Sequence, residues 1–281
     1  MEAGKLLSTL REAARRAGEA ALSVREQGLG GEVVGIGKSG DATLRGDLAA
    51  ERAAVEHIIE KLGDVVIISE EMGVETAGQG DLTVVVDPID GSRNYKRGSP
   101  LFTVSIAAAT GTSLDSVVAG VIYAPALGLE VYAVKGGGAY ANGRRISVKA
   151  PERGDLVFVG ASPKASFLPY AFMLELSKRG LIARSLGAAS YEMASVALGA
   201  ADGYIDAWGT MRVVDIAAAY LVVREAGGWV SAQGRMCESP CLSLQERLSI
   251  VAAATGSLGA ELLDALREAL GFSLRDPLSR G

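Results

Sequence analysis

A single histidine, His57, and two cysteines, Cys237 and Cys241, are all this chain holds of those ligand types. One imidazole, set inside a predicted helix, argues against any acid–base scheme built on histidine. The cysteines lie four apart in a polar stretch containing Pro240, without the further thiolates or imidazoles of a zinc site. They read as free thiols, with a local disulfide as the alternative. Long apolar runs are missing too. Hydrophobic residues make up 49% of the chain, yet no run of them approaches the roughly 20 residues that span a bilayer. The start, Met1-Glu2-Ala3-Gly4-Lys5, lacks the apolar core of a signal peptide. Cytoplasmic residence and no membrane partner are therefore expected. A net charge of −5 leaves no basic footprint for nucleic acid. An enzyme of anionic substrates with this charge would depend on bound metal for positive charge. Asn and Gln are scarce beside Arg, Glu, Ala and Gly, a composition that points to a heat-adapted source.

At 281 residues the chain suits one large domain or two fused halves around a sizeable core. Leu6, Leu10, Ala13, Ala14, Ala17 and Ala21 keep a helical period, which predicts a helix over 2–27. A glycine-rich loop or β-ribbon follows over 28–46, then a helix over 47–62. Strands are expected near 64–69, 82–87, 101–110, 116–124 and 129–135, with a hairpin turn at Asn142-Gly143. Strands then alternate with helices: strand 156–160, helix 166–179, strand 181–185, helix 189–199, strand 203–207, helix 214–226, strand 249–253 and helix 257–269. This pattern predicts an α+β half over residues 1–150 joined to an α/β half over 151–281.

Three acidic stretches carry the chemistry. Leu82–Asp87 reads as a buried strand, and Asp87-Pro88-Ile89-Asp90-Gly91-Ser92 as the turn that leaves it. Pro88 biases Asp87 towards extended backbone, and Gly91 permits close approach to a ligand. Two carboxylates aimed at one point suit a hard divalent cation, although Asp, Pro and Gly are also ordinary turn formers. Glu70-Glu71 ends the strand 64–69, where a solvated strand end is the plain alternative. Asp215 opens an apolar helix, where an N-cap or first-turn acid belongs. Three such clusters at element ends fit a ligand site of a layered α/β fold.

Glu70-Glu71, the stretch from Asp87 to Tyr95, and Val214-Asp215-Ile216-Ala217-Ala218 resemble the three signature motifs of the inositol monophosphatase family. The likeness runs in order from about residue 5 to residue 270. The stretches Arg184–Ser190 and Gly203–Asp206 resemble its archaeal members, some of which take both inositol 1-phosphate and fructose 1,6-bisphosphate. The resemblance implies a layered α-β-α-β-α sandwich and a magnesium-dependent phosphatase, with two or three ions per site and manganese as a substitute. A small phosphorylated substrate and a homodimer are implied with it.

Carried over by position, the metal ligands are Glu70, Asp87, the carbonyl of Ile89, Asp90 as a bridge, and Asp215. Asp47 and Ser92, with Glu70 assisting, would orient and deprotonate the attacking water. Ser92 keeps the hydroxyl of the family's usual threonine, and Asp47 near Gly46 also reads as a helix cap. Backbone amides of Gly91 and Ser92 would hold phosphate oxygens. Lys38 would reach the site on loop closure, unless it is a solvated loop lysine. Arg184, Ala189, Asp206 and Trp208 would line the substrate pocket. The chain departs from the pattern at Trp208, where some members place a second arginine, with Arg212 nearby as a substitute. It departs also at Val214, in place of the usual tryptophan. Two further readings stay open: a nucleotidase of adenosine 3′,5′-bisphosphate, and a non-catalytic phosphosugar-binding protein.

Overall fold

Valine and isoleucine alternate faces along the strand Leu82–Asp90 (β5), and that alternation builds two cores at once. Val84 and Val86 enter one apolar cluster and Val85 another, so the sheet is covered on both sides. The computed structural model describes residues 3–38, 40, 42–78, 80, 82–149 and 156–273. The half boundary expected at 150/151, residue 2 of the first helix and residue 39 of the Lys38 loop lie outside the described residues.

The elements up to residue 77 are α1 (Ala3–Glu26), a ribbon of β1 (Val33–Ile36) and β2 (Ala42–Leu44), α2 (Arg45–Leu62), β3 (Val65–Ser69) and β4 (Gly73–Ala77). After β5 come a one-turn helix α3 (Ser92–Lys96), β6 (Thr103–Ala109), β7 (Val117–Ala124), β8 (Leu129–Val134), β9 (Gly138–Ala141) and β10 (Arg144–Ile146). Strands β3 to β10 form a sheet in the order β10-β9-β8-β7-β6-β5-β3-β4, antiparallel except for the parallel β3–β5 pair. Asn142 and Gly143 both have positive φ and turn the β9–β10 hairpin where the sequence predicts it.

The rest of the chain supplies β11 (Leu156–Val159), α4 (Leu168–Lys178), β12 (Ile182–Arg184), α5 (Ala189–Ala197), β13 (Gly203–Met211), α6 (Val213–Glu225), β14 (Trp229–Gly234), β15 (Leu248–Ala253) and α7 (Gly256–Ser273). A second sheet runs β12-β11-β13-β15-β14. Helices α1 and α2 cover the outer face of the first sheet, α5 and α6 lie between the sheets, and α4 and α7 cover the second. This is the expected α-β-α-β-α sandwich. Helix α6 is buried from Val213 to Val223, as a helix with a sheet on either side must be. Its backbone meets β7 so closely that a Cβ on Gly120 would stand 2.9 Å from the Ala218 carbonyl oxygen.

Four expectations need correction. The strand does not end at Asp87: β5 runs on to Asp90 through an irregularity in its pairing with β6. Strands β4 and β14 are absent from the sequence reading because their partly exposed, mixed residues carry no clean alternation. Cys237 and Cys241 are not free thiols but form a disulfide in the β14–β15 loop. Beside it, the buried Glu246 carboxylate accepts backbone N–H groups of Arg235, Met236, Cys237, Cys241 and Arg247. Finally, α2 starts at Arg45 with Leu44 as its cap, so Asp47 is a first-turn residue rather than the N-cap. Among the described residues no helix is long and apolar enough to cross a membrane.

Candidate active site

The pairing of β5 with β6 explains how two acids three residues apart come to face one way. Asp87 stands opposite Ser105 and Asp90 opposite Thr103, so β5 spends one residue more than its partner between the two pairs. In an uninterrupted strand, residues three apart point to opposite faces. One extra residue restores both carboxylates to the same face. Strand β3 lies parallel beside β5 with Ser69 opposite Val86, which sets Glu70 next to Asp87. The first turn of α6, packed on the same face, brings in Asp215.

Glu70, Asp87 and Asp215 each offer a carboxylate oxygen within 4.8 Å of the others, and all three side chains are buried. Asp87 Oδ1 accepts the Ile89 N–H at 3.1 Å, whereas its fully buried Oδ2 has no hydrogen-bond partner. An orphaned carboxylate oxygen beside two more acids is a donor set for a divalent cation. Asp90 stands just outside this group. Its Oδ2 accepts the Ser190 N–H at 2.7 Å and hydroxyl at 2.6 Å, and its Oδ1 the Ala189 N–H at 3.1 Å. Asp90 thereby ties the first sheet to the start of α5.

Glu70, Asp90 and Asp215 open onto a cleft of about 620 Å³, lined also by Asp47, Ile89, Gly91, Ser92, Ala189, Glu192, Tyr204 and Asp206. Gly91 has φ +88° as the cap of α3, and a Cβ there would press on Ala188 and on the Leu101 and Gly187 carbonyls. Only glycine fits. Asp47 Oδ2 accepts the Leu44 N–H at 2.7 Å, and no hydrogen bond joins it to Ser92. Asp206 keeps an orphaned buried oxygen, as does the Tyr204 hydroxyl.

Three residues from the sequence reading lie elsewhere. Trp208 is buried on the far side of the second sheet, where its indole donates to the Gly160 carbonyl at 2.7 Å and meets Phe172 edge-on. The Arg184 guanidinium is exposed and donates to the Ala183 carbonyl. Lys38 packs against Gly73 and is not among the residues that line the cleft. What the sequence missed is Arg212, noted there only as a stand-in for a substrate arginine. Its guanidinium bonds Asp215 at 2.8 Å and also Glu70. The signal was its place three residues before Asp215. Ser190 and Thr103 had none, because their roles come from contacts across the fold. Glu192, one acid in the apolar run Ala188–Val196, was legible as a buried carboxyl.

The family model described as "Inositol monophosphatase family" matches residues 3–270. This chain belongs to the inositol monophosphatase family. Within the family, it is 40% identical to the "Fructose-1,6-bisphosphatase/inositol-1-monophosphatase" of Thermococcus kodakarensis, over 85% of this chain and 88% of the relative. Among solved structures, the extragenic suppressor protein suhB of Bartonella henselae superposes with a TM-score of 0.78 at 26% identity, over 93% of this chain and 98% of that one. A Thermotoga maritima IMPase superposes with a TM-score of 0.76 at 26% identity, over 95% and 98%.

Burial dominates the electrostatics of the site. It pushes the Glu70 carboxyl up to about 8 and Asp47 and Asp206 to about 7. Glu192 rises to about 8 and Asp90 to about 6 from the same cause, and Asp87 is driven well above the carboxylate range. These carboxyls hold their protons to higher pH folded than unfolded, so the native state binds more protons across that window. Stability of the metal-free protein should therefore be greatest near the unfolded values of 3.8 and 4.5 and decline as pH rises towards about 8. Melting curves of chelator-treated protein between about pH 5 and pH 8 check this, and added magnesium should flatten the slope by replacing protons on the same oxygens. A melting temperature that climbs across the window without metal would contradict it.

Proposed function

We propose that the chain is a magnesium-dependent phosphatase that hydrolyses the phosphate monoester of inositol 1-phosphate, fructose 1,6-bisphosphate or both. The observation that carries this reading is the buried triad of Glu70, Asp87 and Asp215, with the orphaned Asp87 Oδ2 among them. The name printed for the Thermococcus relative supports the choice of substrates. The residues fit hard cations, two or three of which Glu70, Asp87, the Ile89 carbonyl, Asp90 and Asp215 would hold, with manganese as a substitute. When bound, such ions supply a water of lowered pKa and positive charge for the phosphoryl oxygens and the leaving alkoxide.

The chain's own groups do the rest. Asp47, held near 7 by burial, is poised to take a proton at neutral pH. Ser92, on the same cleft, would pass that proton on from the attacking water, with Glu70 assisting. The amides of Gly91 and Ser92 would hold phosphate oxygens. The orphaned Asp206 oxygen accepts a hydroxyl of the polyol, next to Ala189 on the cleft wall. Residues 1–150 would form an α+β half with metal-binding motifs, and 151–281 an α/β half that completes the active site with Asp215. A cytoplasmic homodimer goes with this reading, and sedimentation tests the assembly state.

Phosphate release from a panel of about a dozen sugar, inositol and nucleotide phosphates, with and without magnesium, decides the function. Turnover of inositol 1-phosphate or fructose 1,6-bisphosphate that stops in excess chelator is the expected result. Undiminished turnover in chelator would end the metal mechanism. Faster release from adenosine 3′,5′-bisphosphate would move the enzyme to the nucleotidases, and binding without turnover would make it a phosphosugar-binding protein.

A further inference from the structure

Arg212 is the cap of α6 and makes more contacts with the acid cluster than any cap requires. Its backbone N–H donates to Asp215 Oδ2 at 3.1 Å. Its side chain then returns to the same carboxylate, Nε at 3.2 Å from both oxygens and Nη2 at 2.8 Å from Oδ1. The third nitrogen, Nη1, reaches across the cleft to Glu70 Oε1. One planar fork thus spans two of the three acids whose oxygens converge within 4.8 Å. Side-chain accessibility is 19% for Arg212, 11% for Glu70 and 12% for Asp215, so solvent screens these contacts little. A capping role needs only the backbone bond. The fork has a further effect, because charge-assisted bonds to an oxygen oppose any other ligand of that oxygen.

We propose that Arg212 is an internal counter-cation of the acid cluster that competes with divalent metal for Glu70 and Asp215 and so sets how tightly the site loads. This rests on the metal-dependent reading above. Arginine cannot discharge itself by losing a proton, so it leaves the oxygens only by moving. The segment between Arg212 and Asp215 is the rigid start of a buried helix, whereas the guanidinium hangs on a flexible stem. Loading therefore displaces the fork while Asp215 stays in place, held by the Arg212 backbone N–H. Without metal, the same fork offsets the repulsion among Glu70, Asp87 and Asp215.

Direct binding tests this without reference to turnover. Metal-free wild type, Arg212→Met and Arg212→Lys are titrated with Mn2+, with free ion followed by its electron paramagnetic resonance signal, and each is melted with and without the ion. Arg212→Met should bind Mn2+ about tenfold tighter or more, since the charge-assisted bonds that oppose loading are gone. Its metal-free melting temperature should fall and its gain on adding Mn2+ should exceed that of wild type. Arg212→Lys, whose single ammonium cannot span both carboxylates, should shift in the same direction by a smaller factor. It carries the test if Arg212→Met folds only with metal, which itself supports the proposal. Equal or weaker binding in the variants, with wild type binding normally, would overturn it and make Arg212 a support of the loaded site. If wild type binds no Mn2+ at all, the metal-dependent reading fails instead.

Discussion

Asp87→Asn is expected to lower kcat on the order of 10³-fold, the scale seen when one electrostatic stabiliser is removed from an active site. The same change should make the metal-free protein more stable. The Asp87 carboxylate is fully buried, bears an orphaned oxygen and faces Glu70 and Asp215. In the variant, the amide oxygen keeps the Ile89 N–H, and the amide nitrogen donates towards the neighbouring acids. The gain should be about 1–3 kcal/mol, the scale of an unsatisfied buried group. It should be largest near pH 8 and vanish in acid, where the aspartate is protonated in both folded and unfolded chains. Phosphate release and chelator-treated melts across pH check both signs. A variant that keeps full activity, or that melts lower than wild type without metal at pH 8, contradicts the assignment.

Asp90→Asn should also stop turnover, by roughly 10²-fold or more, but with the opposite effect on stability. Asp90 accepts from the Ala189 and Ser190 backbone N–H groups and from the Ser190 hydroxyl, and Thr103 Oγ1 stands 3.3 Å away. An amide cannot accept on both its atoms, so one end would set donor against donor at the start of α5. Hydrogen bonds to a charged group contribute about 1.5–3 kcal/mol each, and the melting temperature should drop by roughly 5 °C. The fall should persist in saturating magnesium, because the bonds it loses tie sheet to helix. Two neighbouring acids that both cost turnover but shift stability in opposite directions would separate a ligand whose burial only strains the fold from one that also ties the scaffold together. Matching shifts in stability would refute that division.

The trade-off in Asp87 reflects how the site is assembled. Burial raises every carboxyl in the cleft whose shift is resolved, which is unfavourable for folding and useful for catalysis. The fold tolerates it because three apolar clusters surround the acids and Arg212 offsets part of their charge.

Periodicity and turn residues determined most of the secondary elements and their order, whereas the layered sandwich followed from the resemblance of the acidic motifs to the family. Helix α1, the buried strand before Asp87, the Asn142-Gly143 hairpin and the wholly apolar α6 are local signals, set by side-chain pattern and backbone preference. The order of the acidic motifs was legible for the same reason. Only the tertiary structure decided which acids converge. A one-residue excess in β5 turns Asp87 and Asp90 to one face, and the parallel β3–β5 register sets Glu70 beside them. Neither is a property of a single segment, because register belongs to a pair of strands. The same holds for Trp208, which regular alternation would keep on the face of Asp206 but an irregularity in the β13–β15 pairing turns into the opposite core. It holds too for Arg212, whose span from Asp215 to Glu70 exists only once residues 142 positions apart in the chain are neighbours in space.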